Sequence, residues 1–278
     1  MPETKKKISN GILNILTYML ALVFLFPFLI SILMAIKTPA ETTDSLLKIP
    51  SHIAWGNFSS AWEITHFTNS FMNSAISTVS GVALIVFCSS MAAFAISRNS
   101  KKRVFQFAEL LILAALMVPF QVIIIPVYKL LKSMDMINTL YGYVIMLVGT
   151  SIPYSTFLYI GFIKSVPREL EEASVIDGCG PYRMFWQIVF PLLKPITATV
   201  AILHVMWLWN EFNIALIVLQ KTAVRTIPMM QYFFFGQYTT NLNLAFASAV
   251  LTMIPILIFF VLAQKQIIGG LTNGAVKG

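Results

Sequence analysis

The 278-residue chain is 58% hydrophobic and 11% charged. Soluble domains carry roughly 25% charged residues, so this composition excludes a soluble globular protein and indicates a membrane protein built of spans and connectors. The formal net charge is +8, but the cationic residues cluster in alternate connectors. That distribution is typical of membrane topology and does not predict nucleic-acid binding.

The first two apolar runs predict two membrane spans. Residues 11–36 follow the lysines at positions 5–7 and are uncharged. This run is nearer the ~20 residues that cross a bilayer than the roughly 7–15 of a signal-peptide core, so we expect a retained span. A polar connector at residues 37–70 leads to a second span at about 71–97, whose many Ser, Gly and Ala residues allow close helix approach in lipid.

Four further spans are predicted in the rest of the chain. The third, at about 104–128, contains Pro119 and Pro126 on nearly the same face, so we expect this helix to bend. The others cover about residues 138–163, 196–219 and 242–263. The sequence therefore predicts an all-α, six-span membrane protein forming a single domain over residues 1–278.

The segment between the fourth and fifth spans predicts a helical hairpin at residues 167–191. Pro167 suits a first helical turn, and the glutamates that follow it place negative charge at the positive end of the helix dipole. Gly178 can adopt the left-handed conformation that ends a helix. The next helix, which begins after Gly180, is strongly apolar on one side and is expected to break at Pro191 and Pro195.

This hairpin resembles the cytoplasmic loop of ABC importer permeases, which reads E-A-A, three residues, G, nine residues, I-x-L-P. The matching residues are Glu172, Ala173, Ser174, Asp177, Gly178, Ile188, Phe190 and Pro191. Ser174 replaces the second alanine and Phe190 the leucine, and both changes keep size or apolar character. The resemblance implies that the loop at about 164–195 couples the spans to an ATPase. The alternative is a solvated acidic helix in a cytoplasmic loop.

Two other segments carry the same resemblance. Trp55, Asn57 and Phe58 resemble the pattern that precedes the second span in sugar-importer permeases. The tail at residues 269–278 resembles the terminus of the smaller maltose-type permeases, and residues 271–278 are expected to reach into an ATPase dimer. The glycines at 269–270 are expected to let the chain leave the sixth helix at that point.

The distribution of positive charge predicts the orientation. Thirteen of the nineteen Lys and Arg residues lie on the side of the membrane that carries the hairpin, and six lie on the other side. Cationic residues are retained on the cytoplasmic side, so we expect the hairpin and both termini in the cytoplasm of a bacterial or archaeal cell, in its plasma membrane.

A polar and aromatic cluster in the fifth span is the leading candidate for substrate contact. Its residues are Trp207, Trp209, Asn210, Glu211 and Asn213. Glu211 lies sixteen residues beyond Pro195, hence about 24 Å along a continuous helix. Ionisable groups at membrane depth usually face a cavity or a partner. The alternatives are an interfacial aromatic anchor or a helix–helix contact.

Residues near the third-span bend are weaker candidates, with core packing as the alternative. They are Gln121, Met117 and Phe120.

No pattern in the sequence predicts catalysis or a metal site. Cys88 lies in an apolar span and Cys179 in the hairpin, so a disulfide between them is not expected. The three histidines are scattered, without ligand spacing. The sequence contains no G-x-x-x-x-G-K-[ST] motif, so the chain has no P-loop of its own, and a partner must handle any ATP.

The resemblance implies a permease subunit of a carbohydrate-type ABC importer, with the type I importer permease fold. Its implied partners are a second permease, two ATPase subunits that hold ATP and Mg²⁺, an extracytoplasmic sugar-binding protein and membrane lipid. One alternative is import of a polyol or a glycerol phosphate ester by the same architecture. A secondary transporter or channel, or a polytopic membrane enzyme, belongs to a different class.

Overall fold

The computed structural model describes residues 2–237 and 241–275, with side chains over 13–232 and 241–265. Every regular element in these ranges is a helix, which confirms the all-α prediction. The helices are α1 (Pro2–Ala35), α2 (Pro39–Asp44), α3 (Gly56–Ile64), α4 (Phe67–Arg98), α5 (Arg103–Leu116), α6 (Phe120–Ser133), α7 (Leu140–Ile163), α8 (Glu169–Ile176), α9 (Pro181–Met184), α10 (Phe190–Leu192), α11 (Lys194–Trp209), α12 (Asn213–Val218), α13 (Ile227–Gln237) and α14 (Leu242–Ala275). A π-helical turn at Phe185–Val189 joins α9 to α10, and a 3-10 turn lies at Thr222–Val224.

Four segments of the described chain are suited to crossing a membrane, or six if each of two bent helix pairs is counted as one span. Four are single helices, at Leu13–Ala35, Phe67–Arg98, Leu140–Ile163 and Leu242–Lys265. Two are bent pairs, with 106° between α5 and α6 and 76° between the Pro181–Leu192 segment and α11. Counting each pair as one span gives the six spans of the predicted fold.

The predicted bend in the third span is confirmed and is larger than a kink. Helix α5 ends at Leu116, and α6 begins at Phe120 with Pro119 as its N-cap. Proline has no N–H to continue the hydrogen-bond ladder of α5, but its φ of −61° suits the residue before a new helix. Pro126 stays inside α6, so the break falls at the first of the two prolines.

The predicted break at Pro191 and Pro195 is confirmed, because the helical segment that contains Pro191 ends at Leu192 and α11 starts at Lys194, with a 76° bend between them. Two other predicted boundaries are wrong. The fifth span is not continuous to residue 219, because α11 ends at Trp209 and α12 starts at Asn213. Helix α14 runs through residues 269–270 to Ala275, since glycine only lowers helix propensity, by roughly 1 kcal/mol per residue. Residues 276–278 of the tail lie outside the described residues.

The described residues form two compact units. One comprises the chain up to Phe67 together with residues 231–255, and the other comprises residues 68–230 with the chain from Ile256 onwards. The prediction of a single domain over residues 1–278 stays a prediction, as do the limits of its loop at 164–195 and its tail at 269–278.

In the first unit, a buried asparagine side chain caps the C-terminal end of α1. The Asn57 side chain donates to the carbonyls of Ala35 and Lys37, at 2.8 Å each, and accepts from Asn243 Nδ2 at 2.9 Å. The Lys37 side chain is itself fully buried and donates to the carbonyls of residues 45 and 46. The first unit has a small core in which Ala35 contacts Ala61 and Ala247.

Helix α7 is the centre of the second unit. Helices α5, α11 and α12 all pack against it, and Tyr143, Tyr159 and Ile163 on it are almost fully buried. Its N-terminal end is tied to the end of α12 by Asn138. The Asn138 N–H donates to Val218 O at 2.7 Å, and its side-chain oxygen accepts the N–H groups of residues 220 and 221. These contacts hold α12 against α7.

Candidate functional site

The first helix of the hairpin ends in a left-handed glycine turn, as the sequence predicts. Gly178 has a φ of +78°. Its N–H donates to Val175 O at 3.0 Å, and the Cys179 N–H donates to Ser174 O at 2.9 Å. These two bonds form a Schellman motif, which satisfies carbonyl groups that the end of α8 would otherwise leave free.

The motif residues on α8 divide between two faces. Glu172, Ala173, Asp177 and Gly178 are exposed, whereas Ser174 is buried and its hydroxyl donates to Glu171 O at 2.6 Å. Ser174 therefore stabilises the hairpin from inside and does not lie on its outer surface.

Apolar side chains surround the exposed motif residues at the tip of the hairpin. Ile176 is 86% exposed and Tyr182 is 75% exposed, and Leu170 and Val175 are also open. This combination of small, acidic and apolar exposed residues gives the hairpin tip a surface suited to contact with another protein.

The second half of the hairpin is anchored by aromatic side chains. Phe185 and Val189 in the π-helical turn are almost fully buried. Phe94 of α4 lies 5.3 Å from Phe185 between ring centroids, and Phe87 of α4 stacks on Trp186 at 5.7 Å. Of the other motif residues, Ile188 is half-buried and Pro191 is exposed. The role predicted for both in coupling stays a prediction.

The sequence did not predict the contact between Arg98 and the first helix of the hairpin. This last residue of α4 donates from Nε to Glu171 Oε1 at 2.7 Å and from Nη2 to Val166 O at 3.1 Å. Its adjacency to the end of a predicted span was visible in the sequence, but no local pattern connected it to a carboxylate seventy-three residues away.

A cavity of about 850 Å³ lies among α5, α6, α7, α11 and α12. It brings together Gln121, Phe120, Trp207, Glu211 and Asn213, which the sequence placed on two separate spans. Most of its remaining lining is aliphatic. Its polar side chains come from Gln121, Thr150, Ser151, Tyr154, Glu211 and Asn213.

Glu211 acts as a buried helix cap at the edge of this cavity. Its Oε1 accepts the Ile214 N–H at 2.8 Å, and its Oε2 accepts the Ala215 N–H at 3.1 Å. The Tyr143 hydroxyl donates to Oε2 at 3.3 Å. The residue is 8% exposed, so the carboxylate satisfies the first N–H groups of α12 in place of solvent. The role of Glu211 as a substrate contact stays a prediction.

Trp207 is the exposed member of an aromatic group beside the cavity. It stacks on His204 with 6.0 Å between ring centroids and a 7° interplanar angle, while Tyr154 meets both rings edge-on. His204 is buried, and its Nε2 lies 2.6 Å from Ser155 Oγ. The stacking on His204 holds the Trp207 ring in place. Because Trp207 is 58% exposed, its ring is still accessible to a ligand.

The structure does not bring all the predicted candidates into the cavity. Trp209 packs edge-on against Phe71 of α4 at 5.7 Å, and the Asn210 side chain donates to Met206 O at 2.7 Å. Met117 is 84% exposed and does not line the cavity.

Sequence reasoning missed Thr150, Ser151 and Tyr154 of α7 as cavity residues. The fourth span contains polar residues at 150–151 and 154–156, and the sequence alone gives no signal of which of them face a cavity.

The described residues hold no group of three or more His, Cys, Asp or Glu side chains arranged to bind a metal ion. The described residues that line the cavity include no Lys, Arg or His side chain. Its arrangement suits a neutral ligand that has both apolar faces and hydrogen-bonding edges.

Three known proteins show what the chain is similar to. It is 33% identical to the probable starch degradation products transport system permease protein AmyC of Thermoanaerobacterium thermosulfurigenes, over 98% of this chain and 99% of that one. It is 35% identical to the melibiose/raffinose/stachyose import permease protein MelC of Bacillus subtilis, over 97% and 98%. The fold matches a chain of a bacterial ABC transporter involved in import of the acidic polysaccharide alginate, with a TM-score of 0.77, 21% identity and coverage of 94% and 97%.

A family model covers most of the chain as well. The model for the inner membrane component of binding-protein-dependent transport systems matches residues 85–271, which include the hairpin and the cavity-lining helices. With this match and the two relatives above 30% identity, the chain belongs to the family of binding-protein-dependent transport system inner membrane components.

Proposed function

We propose that this chain is a permease subunit of an ATP-driven importer that takes neutral oligosaccharides from an extracytoplasmic binding protein. The observation that carries the proposal is the outer face of the hairpin, where Glu172, Ala173, Asp177 and Gly178 are exposed on a rigidly capped turn. This face docks on a cytoplasmic ATPase subunit. A second permease and a second ATPase subunit complete the complex, and the ATPases hold ATP and Mg²⁺, so this chain carries out no covalent chemistry.

The hairpin has the structure that coupling requires. Its outer face is open for a partner, while its inner face is attached to α4 through Glu171 and the aromatic side chains of Phe185 and Trp186. Movement of the ATPase subunits therefore reaches the spans through a rigid element. Alternating access follows from that movement.

The cavity supports sugar as the substrate class. Trp207 offers an exposed aromatic face, which packs against the apolar face of a sugar ring, and Gln121, Asn213 and Thr150 offer hydrogen-bonding groups for hydroxyls. The relatives in Thermoanaerobacterium thermosulfurigenes and Bacillus subtilis are named for starch degradation products and for melibiose, raffinose and stachyose. Trp207, Asn213 and Gln121 are the residues of this chain that contact the sugar.

The charge of the cavity distinguishes sugar from one rival substrate. A glycerol phosphate ester is anionic, and an anion at membrane depth needs cationic or multiple N–H partners. Among the described residues that line the cavity none is cationic, and the one carboxylate among them, Glu211, would repel a phosphate. A neutral polyol fits the same cavity chemistry and remains the alternative substrate of the same architecture.

The orientation completes the proposal. The hairpin and both termini lie in the cytoplasm, on the side that carries thirteen of the nineteen Lys and Arg residues. The protein therefore resides in the plasma membrane of a bacterium or archaeon, with its hairpin facing the ATPase subunits.

The deciding experiment is uptake of radiolabelled solutes in cells that lack this chain and in cells that regain it. We expect uptake of neutral oligosaccharides to require the chain, and an ATPase subunit to co-purify with it. Uptake of glycerol phosphate esters and of no oligosaccharide would contradict the proposed substrate and assign these esters in its place. Uptake that persists without ATP and follows an ion gradient would contradict the proposal of an ATP-driven importer and identify the chain as a secondary transporter.

A further inference from the structure

Helix α4 contacts both halves of the hairpin. Its rings at Phe87 and Phe94 contact Trp186 and Phe185 in the second half. In the first half, its last residue, Arg98, meets Glu171 in the first turn of α8. Helices α5, α6 and α7 separate α4 from the hairpin along the chain. The contacts between α4 and the hairpin are therefore tertiary contacts.

The Arg98–Glu171 pair is shielded from solvent. The exposed fraction of the side chain is 13% for Arg98 and 11% for Glu171. A second ion pair, between Lys164 and Glu109, is 59% and 28% exposed. Exposed pairs contribute little, whereas removing one partner of a shielded pair leaves a charge without compensation. The first pair therefore constrains the hairpin much more strongly than the second.

The guanidinium group fixes two points on the hairpin at once. Besides the carboxylate of Glu171, it donates to the carbonyl of Val166, which precedes α8. A planar guanidinium group holds its donors in a fixed geometry, so two contacts on different residues set both the position and the direction of the helix start. A lysine at position 98 has a single ammonium group and cannot reproduce this geometry.

Adjacent glutamates on α8 point in different directions. Consecutive residues of a helix are about 100° apart, and here Glu171 is buried against Arg98 while Glu172 is exposed beside Ala173. The same turn of helix thus holds an internal contact and the surface proposed to dock on the ATPase.

We propose that Arg98 is a positioning residue that locks α8 to α4, so that a push on the outer face of the hairpin moves α4 as well as the helices covalently joined to it. This inference rests on the proposed function of the hairpin as the contact to an ATPase. Arg98 itself contacts neither ATP nor sugar in this role.

The test uses the whole complex reconstituted in lipid vesicles. Uptake and ATP hydrolysis are measured together for Arg98→Ala, Glu171→Gln and the charge-swapped pair of Arg98→Glu with Glu171→Arg. We expect each single variant to lower uptake per ATP hydrolysed about tenfold and the swapped pair to restore it at least in part, because the interaction is pairwise. Glu109→Ala removes the exposed ion pair as the matched control and should leave the ratio unchanged.

Amide hydrogen exchange of residues 169–176 is measured in the same preparations. We expect Arg98→Ala to accelerate exchange there, Arg98→Lys to accelerate it less, and Glu109→Ala to leave it unchanged. Faster exchange with an unchanged uptake-to-hydrolysis ratio overturns the positioning role, and so does unchanged exchange. If Arg98→Ala does not assemble, the swapped pair and Arg98→Lys decide by the same two measurements.

The two measurements separate this inference from the proposed function. If the wild-type complex contains no ATPase or shows no ATP-driven uptake, the proposed function fails by itself. Normal coupling in the wild type together with normal coupling in Arg98→Ala overturns only the role of Arg98.

Discussion

Two helix ends in this protein solve the same problem in different ways. At the tip of the hairpin, α8 ends in a Schellman motif whose bonds are all between backbone groups and whose left-handed residue is Gly178. Beside the cavity, α12 begins with two buried N–H groups that are satisfied by the Glu211 carboxylate. Both ends have backbone groups without intrahelical partners, as every helix end does.

The difference follows from the environment of each end. The hairpin tip is exposed, so a backbone turn is sufficient and the surface side chains remain available for a partner. The start of α12 is buried among spans, where an unsatisfied N–H is costly, so a side chain must supply the acceptor. A substitution is therefore expected to cost more at the buried cap than at the exposed turn.

The largest effect is expected for Glu211→Ala. The change removes the acceptor for two buried N–H groups and for the Tyr143 hydroxyl, and each orphaned group costs about 1–3 kcal/mol. We expect a lower yield of assembled complex and a lower Tm, with uptake falling in parallel. Glu211→Gln keeps one acceptor oxygen and should fall between the wild type and the alanine variant. Normal assembly with selectively lost uptake would instead assign Glu211 to the substrate pathway.

The second effect compares neighbouring positions on α8. Ser174 is 2% exposed, so Ser174→Trp forces a large ring into a filled space and should destabilise the hairpin by about 1–3 kcal/mol. Ala173 is exposed, so Ala173→Trp should leave hairpin exchange rates unchanged and block docking of the ATPase. Pull-down of the ATPase and protease sensitivity of the hairpin separate these two results. Equal behaviour of the two variants would contradict the division of α8 into two faces.

The third effect is at the exposed turn itself. A β-branched residue at the φ of Gly178 is strained by roughly 1–2 kcal/mol. Gly178→Val should therefore lower the amount of ATPase subunit that is pulled down and reduce uptake per ATP hydrolysed. Gly180 provides the matched control, because its φ of −70° suits any residue and an added Cβ meets no atom within 4 Å. We expect Gly180→Ala to behave as the wild type in the same pull-down and uptake assays.

The smallest effect is expected for Glu172→Ala. This carboxylate is exposed and accepts no hydrogen bond from the described residues comparable to those of Glu211, so its removal should leave Tm unchanged. An exposed ion pair with a basic residue of the ATPase is worth about 0.2–1 kcal/mol, which predicts a few-fold weaker pull-down at most. A drop in Tm as large as that of Glu211→Ala would refute the contrast between the two carboxylates.

Local chemistry made much of the hairpin predictable. The glycine at 178 is followed by a second glycine and a proline, and the apolar residues of α8 recur at helical spacing. The left-handed turn and the two-helix form of this segment are confirmed. The burial of Ser174 was not predictable, because the sequence shows which residues are small but not which of them face the rest of the protein.

The fifth span shows where such reasoning fails. Its apolar run from 196 to 219 satisfies the length and composition of a single helix. The break at Asn210–Phe212 depends on a competing arrangement in which Glu211 caps α12 and Tyr143, sixty-eight residues away, donates to the carboxylate. A helix pattern read along the chain contains no information about such a remote donor.

The sequence by itself determined the all-α membrane class, the bend in the third span and the turn at Gly178, because each follows from composition or from the conformational limits of proline and glycine. Only the tertiary structure decided that Gln121 shares a cavity with Trp207, that Arg98 pairs with Glu171, and that Lys37 is fully buried rather than a free charge in a polar connector. The first two features depend on groups far apart in the chain, and the cost of burying Lys37 is offset only because the fold brings the carbonyls of residues 45 and 46 to its ammonium group.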